Sequence, residues 1–115
     1  MADGIRVARF DDVPEGGALV VDRTVAGTGD DVAVFRDGDE VFALDDTCTH
    51  QEASLADGWV EDGEVECPLH AARFSLRTGE ALSLPAVVRA RCHRVEVRDG
   101  EVWLLPGTPC EAQAG

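Results

Sequence analysis

Short apolar runs, most of them alternating with polar residues, occupy both ends of the chain. Alternation places every second side chain on the same face, which is typical of β-strands that bury one side. Valine concentrates in these runs, and β-branched side chains favour the pleated conformation. The pattern predicts strands at residues 5–10, 18–21, 32–35, 40–44, 93–97 and 101–105.

Two pairs of these runs are separated by the same short turn sequence. Asp37-Gly38 stands between the third and fourth runs, and Asp99-Gly100 stands between the fifth and sixth. Asp-Gly is a strong hairpin signal because both residues tolerate the positive φ that a tight turn requires. Each half of the chain is therefore expected to contain an antiparallel hairpin.

The middle of the chain, about residues 45–86, lacks this regular pattern. It is rich in Gly, Asp, Glu and Pro, which favour turns and loops. Short strands are expected only at residues 65–67 and 73–75, with one helical turn within residues 52–58. This region also contains most of the residues with metal-binding chemistry.

The pattern predicts one all-β domain, which the length of 115 residues fits. Its antiparallel base is expected from both ends of the chain, about residues 1–44 and 87–106. Residues 45–86 form a loop-rich subdomain on that base. Residues 107–115 are expected to be an irregular tail.

The charge of the chain is strongly acidic and narrows the range of partners. It has 23 Asp and Glu against 10 basic residues, all of them Arg, and a formal net charge of −13. Nucleic acid and anionic membranes both attract basic surfaces, so neither is expected as a partner. Electrostatic steering toward a basic protein surface is one interpretation of the charge, and solubility alone is the other.

No 18-residue apolar run is present, so no membrane-spanning segment is expected. The first residues, "MADGIRVARFDD", contain no apolar signal core. These features predict a cytoplasmic protein. In a reducing compartment the four cysteines are expected as thiols or metal ligands rather than as disulfides.

Two short cysteine–histidine groups lie in the middle region, Cys48-x-His50 and Cys67-x-x-His70. A disulfide between the two cysteines would leave the histidines unexplained. A closed zinc site uses two Cys and two His, but usually with both Cys on one arm and both His on the other. Mixed arms suit an asymmetric two-iron cluster, in which two Cys bind one iron and two His bind the other. Zinc remains an alternative at this point.

The spacing of the four residues resembles the Rieske pattern, and the resemblance extends well beyond them. The segment "CTHQEASLADGWVEDGEVECPLHAARFSLRTGEALSLPA" (48–86) is similar to the small Rieske ferredoxins of bacterial aromatic-ring dioxygenase systems. The flanking sequences "DGDEVFALDD" and "VEVRDGEVWLL" also match the layout of that family. The resemblance covers about residues 5–105.

This resemblance implies a Rieske fold, with an antiparallel β-sandwich base and a small cluster-binding subdomain. It implies one [2Fe–2S] cluster, with Cys48 and Cys67 on one iron and His50 and His70 on the other. Pro85 matches the proline of a third loop that covers the cluster in the family. No catalytic residue is expected.

The resemblance also implies a function, that of an electron carrier rather than an enzyme. Such a protein takes single electrons from an NAD(P)H-dependent flavoprotein reductase and passes them to a terminal non-haem iron oxygenase. The oxygenase would be an aromatic-ring dioxygenase or a related monooxygenase, and the carrier itself would be a monomer. The alternatives are a small Rieske-like subunit of assimilatory nitrite reductase and a Cys₂His₂ zinc-binding structural module.

The residues around the predicted ligands indicate a low reduction potential. High-potential Rieske proteins add a disulfide, whose cysteines would fall at Ala53 and Leu69 here. They also add two hydroxyl groups near the cluster, at positions that are Ala72 and Phe74 here. Fewer donors to sulfur stabilise the reduced cluster less, so a potential of roughly −150 mV is expected.

Three further residues have metal-binding chemistry but no matching neighbour. Cys92 and Cys110 have no matching histidine and no redox motif, and we interpret them as bystander thiols of undefined role. His93 lies at the start of a predicted strand and is expected to be a surface or satisfied histidine rather than a ligand.

Overall fold

The computed structural model of the chain describes residues 4–47, 53–68, 72–82 and 90–105. Within them the fold is all-β, with one six-stranded and one three-stranded antiparallel sheet. The six-stranded sheet has the order β1-β9-β8-β4-β3-β2, and the smaller sheet has the order β5-β6-β7. The strands are β1 (Ile5–Arg9), β2 (Ala18–Val21), β3 (Val32–Asp37), β4 (Glu40–Asp45), β5 (Trp59–Glu61), β6 (Glu64–Glu66), β7 (Arg73–Ser75), β8 (Cys92–Arg98) and β9 (Glu101–Leu105).

Three short helical segments connect these strands. Helix α1 (Arg23–Ala26) begins after Asp22, whose carboxylate accepts a hydrogen bond from the Thr24 N–H at 2.8 Å. It ends at Gly27, which adopts the left-handed conformation. Single 3₁₀ turns occur at Phe10–Asp12 and Leu55–Asp57. In the described part of the chain, no helix is long and apolar enough to cross a membrane.

The large sheet folds on itself so that two halves face each other. Val32 and Val34 of β3 pack in one cluster with Val102 and Leu104 of β9, although the two strands are far apart in the sheet order. All four side chains are fully buried. This inner cluster is the core of the base, and it gives the base its sandwich character.

The opposite face of β3 is also buried. Ala33 and Phe35 belong to a second cluster that includes Leu44 of β4 and Phe74 of the small sheet. Since β3 is covered on both sides, its first four residues are all buried. The second cluster therefore joins the base to the small sheet.

Polar contacts support the same junction. The Asp37 carboxylate at the end of β3 accepts a hydrogen bond from the Gly63 N–H at 2.7 Å. Arg77 forms an ion pair with Glu40 at the start of β4, with 2.9 Å between Nη2 and Oε1. Both contacts link the tip of the β3–β4 hairpin to the small sheet.

The predicted strands are confirmed, with small shifts at their ends. The two predicted hairpins are also present: Asp99 and Gly100 both have positive φ, as a type I′ turn requires, while in the other hairpin only Gly38 does. The sequence prediction missed α1, β5 and a third hairpin, whose turn residues Asp62 and Gly63 again have positive φ.

The two sheets fall in different parts of the sequence. The large sheet uses residues 5–45 and 92–105, and the small sheet uses residues 59–75. The predicted division into a base and a loop-rich subdomain remains a proposal, and its tail at 107–115 lies outside the described residues.

Candidate metal centre

Of the four predicted ligands, Cys67 lies within the described residues. It follows β6 directly, and its side chain is fully buried. Cys48, His50 and His70 lie outside the described residues, as does the predicted cover residue Pro85. Among the described residues, no group of three or more side chains could hold a metal ion. The structure therefore describes the site at Cys67 and at the residues that flank the other predicted ligands.

A short backbone hydrogen bond brackets the second cysteine–histidine group. The N–H of Cys67 donates to the carbonyl of Ala72 at 2.7 Å, so the chain leaves and re-enters the small sheet at one point. Ala72 and Phe74 are both fully buried beside Cys67 in the same cluster. The two positions predicted to lack a hydroxyl thus present a methyl group and a phenyl ring in the core around the cysteine.

A polar network brackets the first cysteine–histidine group. Thr47 and Ser54 form an isolated antiparallel β-bridge across its two ends. One carboxylate oxygen of Asp46 accepts hydrogen bonds from the Ser54 hydroxyl at 2.8 Å and from the Ala56 N–H at 3.0 Å. The carbonyl of Asp46 also accepts from the Leu55 N–H at 2.7 Å. Residues 47 and 54 are therefore held together as a neck.

Asp46 is buried, with 8% of its surface exposed. Burial raises the pKa of this carboxyl above its ordinary value, and the hydrogen bonds from Ser54 and Ala56 partly oppose that shift. Both donors present N–H or O–H to the same oxygen, which is the arrangement that an ionised carboxylate accepts. A buried carboxyl satisfied in this way orders the neck in a single geometry.

The segment that contains Pro85 also begins and ends on fixed backbone. The Leu82 N–H donates to the Arg73 carbonyl at 2.8 Å, and the Ala90 N–H donates to the Gly79 carbonyl at 2.7 Å. Gly79 has a φ of +80°, and a Cβ at this position would collide with the Ala90 carbonyl. Only glycine fits there.

The ends of all three segments meet in one hydrophobic cluster. That cluster contains the buried residues Cys67, Ala72 and Ala90, and Ala53 and Ala81 pack against it. Each of these residues lies next to, or within two residues of, a segment outside the described part of the chain. The cluster therefore gathers the starting points of both cysteine–histidine groups and of the segment with Pro85.

The donor set fits a two-iron cluster of the asymmetric kind. Cys67 is a buried cysteine in an apolar environment, and the predicted ligand set also includes Cys48, His50 and His70, which lie outside the described residues. Two thiolates and two neutral imidazoles are the ligands of a cluster whose irons are bound differently. Buried apolar neighbours shield Cys67 from water, and a hydrophobic shell of this kind controls solvent access to a metal site.

His93 is a satisfied core histidine, one of the two outcomes predicted for it. It is 1% exposed, and its Nε2 lies 2.7 Å from Oδ1 of Asp45. The prediction for Cys92 was wrong, because Cys92 is disulfide-bonded rather than a bystander thiol. Pairing between cysteines distant in sequence leaves no local signal that would have indicated it. Cys110 lies outside the described residues.

The sequence prediction missed the polar residues that hold the neck. Asp46 and Ser54 carry no periodic or motif signal, and their contact depends on the chain returning after eight residues. The one available hint is the short run "DDT" directly before Cys48, since Asp and Thr readily bond to nearby backbone.

Comparison with known proteins identifies the family of the chain. The chain matches the family model described as the Rieske [2Fe-2S] domain over residues 4–102. It is 43% identical over 99 residues to the 3-phenylpropionate/cinnamic acid dioxygenase ferredoxin subunit of Photorhabdus laumondii. That match covers 85% of this chain and 90% of the relative.

Two ferredoxin structures are among the solved structures similar to the chain. The ferredoxin of carbazole 1,9a-dioxygenase from Nocardioides aromaticivorans IC177 superposes with a TM-score of 0.82 and 39% identity, over 91% of this chain and 99% of its own. A chain from the complex of reduced oxygenase and oxidised ferredoxin in carbazole 1,9a-dioxygenase gives a TM-score of 0.81 and 35% identity. That match covers 91% of this chain and 94% of the other.

Proposed function

Because the chain belongs to the Rieske [2Fe–2S] domain family, we propose that it is the ferredoxin of a multicomponent oxygenase system. It binds one Rieske-type [2Fe–2S] cluster. The observation that carries the proposal is the similarity to dioxygenase ferredoxins over most of both chains. The protein is a carrier of electrons in this account, and the chemistry on the substrate belongs to the oxygenase.

We assign the ligands from the sequence motif. Cys48 and Cys67 bind one iron as thiolates, and His50 and His70 bind the other as neutral imidazoles. The complete burial of Cys67 supports this, since a ligand thiolate is shielded from water. The fixed neck at Thr47 and the Cys67–Ala72 hydrogen bond hold the starting points of both ligand groups. Pro85 is proposed as part of the cover over the site.

When bound, the cluster supplies a site that accepts and releases one electron. The residues of this chain set how readily it does so. Neutral imidazoles in place of two thiolates make the ligand set two charges less negative, which raises the potential above that of four-cysteine clusters. The imidazole ligands favour the electron on their own iron, because neutral donors stabilise the more reduced metal.

We propose that the potential lies at the low end of the Rieske range, roughly −150 mV. Ala72 and Phe74 carry no hydroxyl that would donate to sulfur, and both are fully buried in apolar surroundings. Ala53, one of the two positions at which a high-potential relative would carry a bridging cysteine, is also apolar. A carrier with such a potential suits a flavoprotein reductase as its electron source.

The proposed partners are a flavoprotein ferredoxin reductase and a terminal oxygenase. A structural neighbour comes from a complex of an oxygenase and a ferredoxin, which supports the second partner. The net charge of −13 suits encounter with basic surfaces on both partners. Nucleic acid and membranes are not proposed as partners, and the protein is proposed to be a cytoplasmic monomer.

The remaining alternatives differ in measurable ways. A zinc module would be colourless and would contain no acid-labile sulfide. A nitrite reductase subunit of this fold often lacks the four ligands, whereas Cys48, His50, Cys67 and His70 are all present here. The intact ligand set therefore favours a ferredoxin.

Reconstituted turnover tests the proposed function. The probe is the oxygenase component of the 3-phenylpropionate/cinnamic acid dioxygenase of Photorhabdus laumondii, with an NADH-dependent flavoprotein reductase as the electron source. Addition of the iron-loaded protein is expected to increase product formation, while the protein alone forms none. Cys67→Ser is the matched control, because it removes one ligand and should abolish the effect. Turnover that does not depend on the protein would contradict the proposal.

A further inference from the structure

The loop between α1 and β3 contacts the chain just before the first cysteine–histidine group. Both carboxylate oxygens of Asp30 accept hydrogen bonds from Thr47, one from its backbone N–H at 2.9 Å and one from its hydroxyl at 3.0 Å. The carbonyl of the next residue, Asp31, accepts from the Asp46 N–H at 2.8 Å. Three hydrogen bonds thus connect Asp46 and Thr47 to the loop between α1 and β3.

Asp30 is held in place by its own loop as well. Its Oδ1 accepts from the Asp31 N–H at 2.9 Å, and its carbonyl accepts from the Thr28 hydroxyl at 2.6 Å. The Asp31 carboxylate accepts from the Arg23 N–H at the start of α1 at 3.0 Å. The carboxylate of Asp30 is therefore held in place by its own loop. Its contact with Thr47 costs little further conformational entropy.

These contacts orient Thr47 and contribute little to the stability of the fold. Asp30 is half-buried and Thr47 is exposed, and hydrogen bonds in such places contribute about 0.5–1.5 kcal/mol each. They nevertheless fix both the backbone and the side chain of Thr47, the residue directly before Cys48. The return side of the neck is fixed independently by Asp46 through Ser54 and Ala56. Thr47 and Ser54, the described residues on either side of the first cysteine–histidine group, are therefore both fixed by hydrogen bonds.

We propose that Asp30 is a positioning residue for the iron-binding loop. Its carboxylate bridges the N–H and the hydroxyl of Thr47 and so sets the direction in which the chain enters Cys48 and His50. The electronic structure of a metal centre depends on the orientation of its ligands, which groups outside the ligand shell determine. The inference rests on the proposed function, since it requires that Cys48 and His50 bind iron.

Three variants separate positioning from charge. Asp30→Ala removes both acceptors. Asp30→Asn keeps one acceptor for the Thr47 N–H and turns an amide donor toward the Thr47 hydroxyl oxygen, but it loses the acceptor of the Asp31 N–H. Asp39→Ala is the matched control, because it removes the same charge from an exposed position in the β3–β4 hairpin. Each full-length, iron-loaded variant is compared by electron paramagnetic resonance (EPR) of the dithionite-reduced protein, by its midpoint potential and by its thermal midpoint.

Asp30→Ala is expected to change the EPR g-values and to shift the midpoint potential relative to Asp39→Ala. Asp30→Asn should change the line shape less than Asp30→Ala, because it keeps the acceptor for the Thr47 N–H. Asp30→Ala with the spectrum and potential of Asp39→Ala would overturn the inference, even if its thermal midpoint fell, because that result describes a purely structural role.

A second pair of variants covers the case in which Asp30→Ala does not accumulate as folded protein. Thr47→Val removes the hydroxyl and keeps the N–H and the shape, while Thr47→Ser keeps the hydroxyl. Thr47→Val should change the spectrum and Thr47→Ser should not, and an unchanged Thr47→Val spectrum would overturn the inference. A wild-type protein without a Rieske spectrum would instead overturn the proposed function, so the two failures are distinct.

Discussion

Gly58 lies where the backbone of a neighbouring strand leaves no space for a side chain. A Cβ at this position would collide with the carbonyl of Glu66, the residue directly before Cys67. The backbone around Gly58 has ordinary angles, so the constraint is space rather than conformation. The absence of a side chain at Gly58 therefore allows β5 to lie close to the end of β6, which directly precedes the buried Cys67.

Gly58→Ala is expected to push the Cys67 backbone out of place. Overpacking of this kind costs about 1–3 kcal/mol, which lowers the melting temperature by roughly 4–8 °C per kcal/mol. Iron content should fall as well, because Cys67 is a proposed ligand. Gly29→Ala is the matched control, since nothing lies near a Cβ at that position. Equal iron content and equal melting temperature in the two variants would contradict this account of Gly58.

Ala72 and Phe74 are the positions at which the low potential is most directly tested. Ala72→Ser and Phe74→Tyr each introduce a hydroxyl beside the cysteine ligand. A hydrogen bond that favours the reduced form by about 1 kcal/mol raises a one-electron midpoint potential by roughly 40 mV. Potentiometric titration measures the shift. Ala18→Ser places a hydroxyl in the same hydrophobic cluster from β2 and should leave the potential unchanged.

Candidate ligands in a sequence motif could be proposed from the sequence, whereas contacts that depend on folding could not. Cys67 was predicted from its spacing to His70, because ligand chemistry restricts both the residue type and the distance along the chain. Asp30 reaches Thr47 across 17 positions of sequence, and only the folding of the loop between α1 and β3 against Thr47 brings them together. An aspartate in a loop is ordinarily solvated, so composition offers no indication of such a role.

Strand β3 contributes side chains to two separate hydrophobic clusters in the interior. Its odd and even positions enter different clusters, one inside the base and one that includes Cys67. Strand β4 behaves in the same way, since Ala43 belongs to the base cluster and Leu44 to the other. Stability and iron binding should therefore respond separately to substitutions in the two clusters.

Leu44→Ala and Leu104→Ala form a matched pair for this division. Both leucines are fully buried, and each substitution should cost about 2–5 kcal/mol. Only Leu44→Ala is expected to accelerate iron loss to a chelator at 25 °C, because Leu44 packs in the cluster that contains Cys67. The two rates are followed by visible absorbance while circular dichroism verifies that both variants are folded. Equal rates of iron loss would contradict the separation.

Elements with strong periodicity or turn chemistry were predicted well. Strands β2 and β9 have the predicted bounds, because a valine-rich run marks β2 and the Asp99-Gly100 turn marks the start of β9. Strand β7 also has the predicted bounds. Helix α1 was missed because four residues are too short for a helical period, and it depends on its Asp22 and Gly27 caps. Strand β5 was missed because three residues cannot show alternation, although the turn at Asp62 and Gly63 was a usable signal.

At the scale of the whole molecule, the acidic charge is the property most relevant to partners. Five acidic residues lie in the β5–β6 region, namely Asp57, Glu61, Asp62, Glu64 and Glu66, and Arg73 forms ion pairs with the last two. Trp59 in the same region is 63% exposed. The part of the surface that leads into Cys67 thus combines negative charge with an exposed aromatic ring.

Electron transfer with a flavoprotein reductase is expected to slow as salt is added. The Debye length falls to about 10 Å at 0.1 M, and steering between oppositely charged surfaces changes association rates by roughly tenfold or more. The double variant Asp57→Asn/Glu61→Gln should slow the reaction at low salt more than Asp11→Asn/Asp12→Asn, which lies in the base. Stopped-flow reduction of the cluster gives the rates. A rate that is independent of ionic strength would contradict electrostatic steering.

The presence of the two-iron cluster is the claim on which the rest of the account depends. EPR of the dithionite-reduced protein, combined with iron and acid-labile sulfide analysis of the same sample, tests it most directly. The account predicts two iron and two sulfide per chain, with an anisotropic Rieske-type signal that is absent from the oxidised protein and from Cys67→Ser. A colourless protein with zinc, no acid-labile sulfide and no signal after reduction would contradict it.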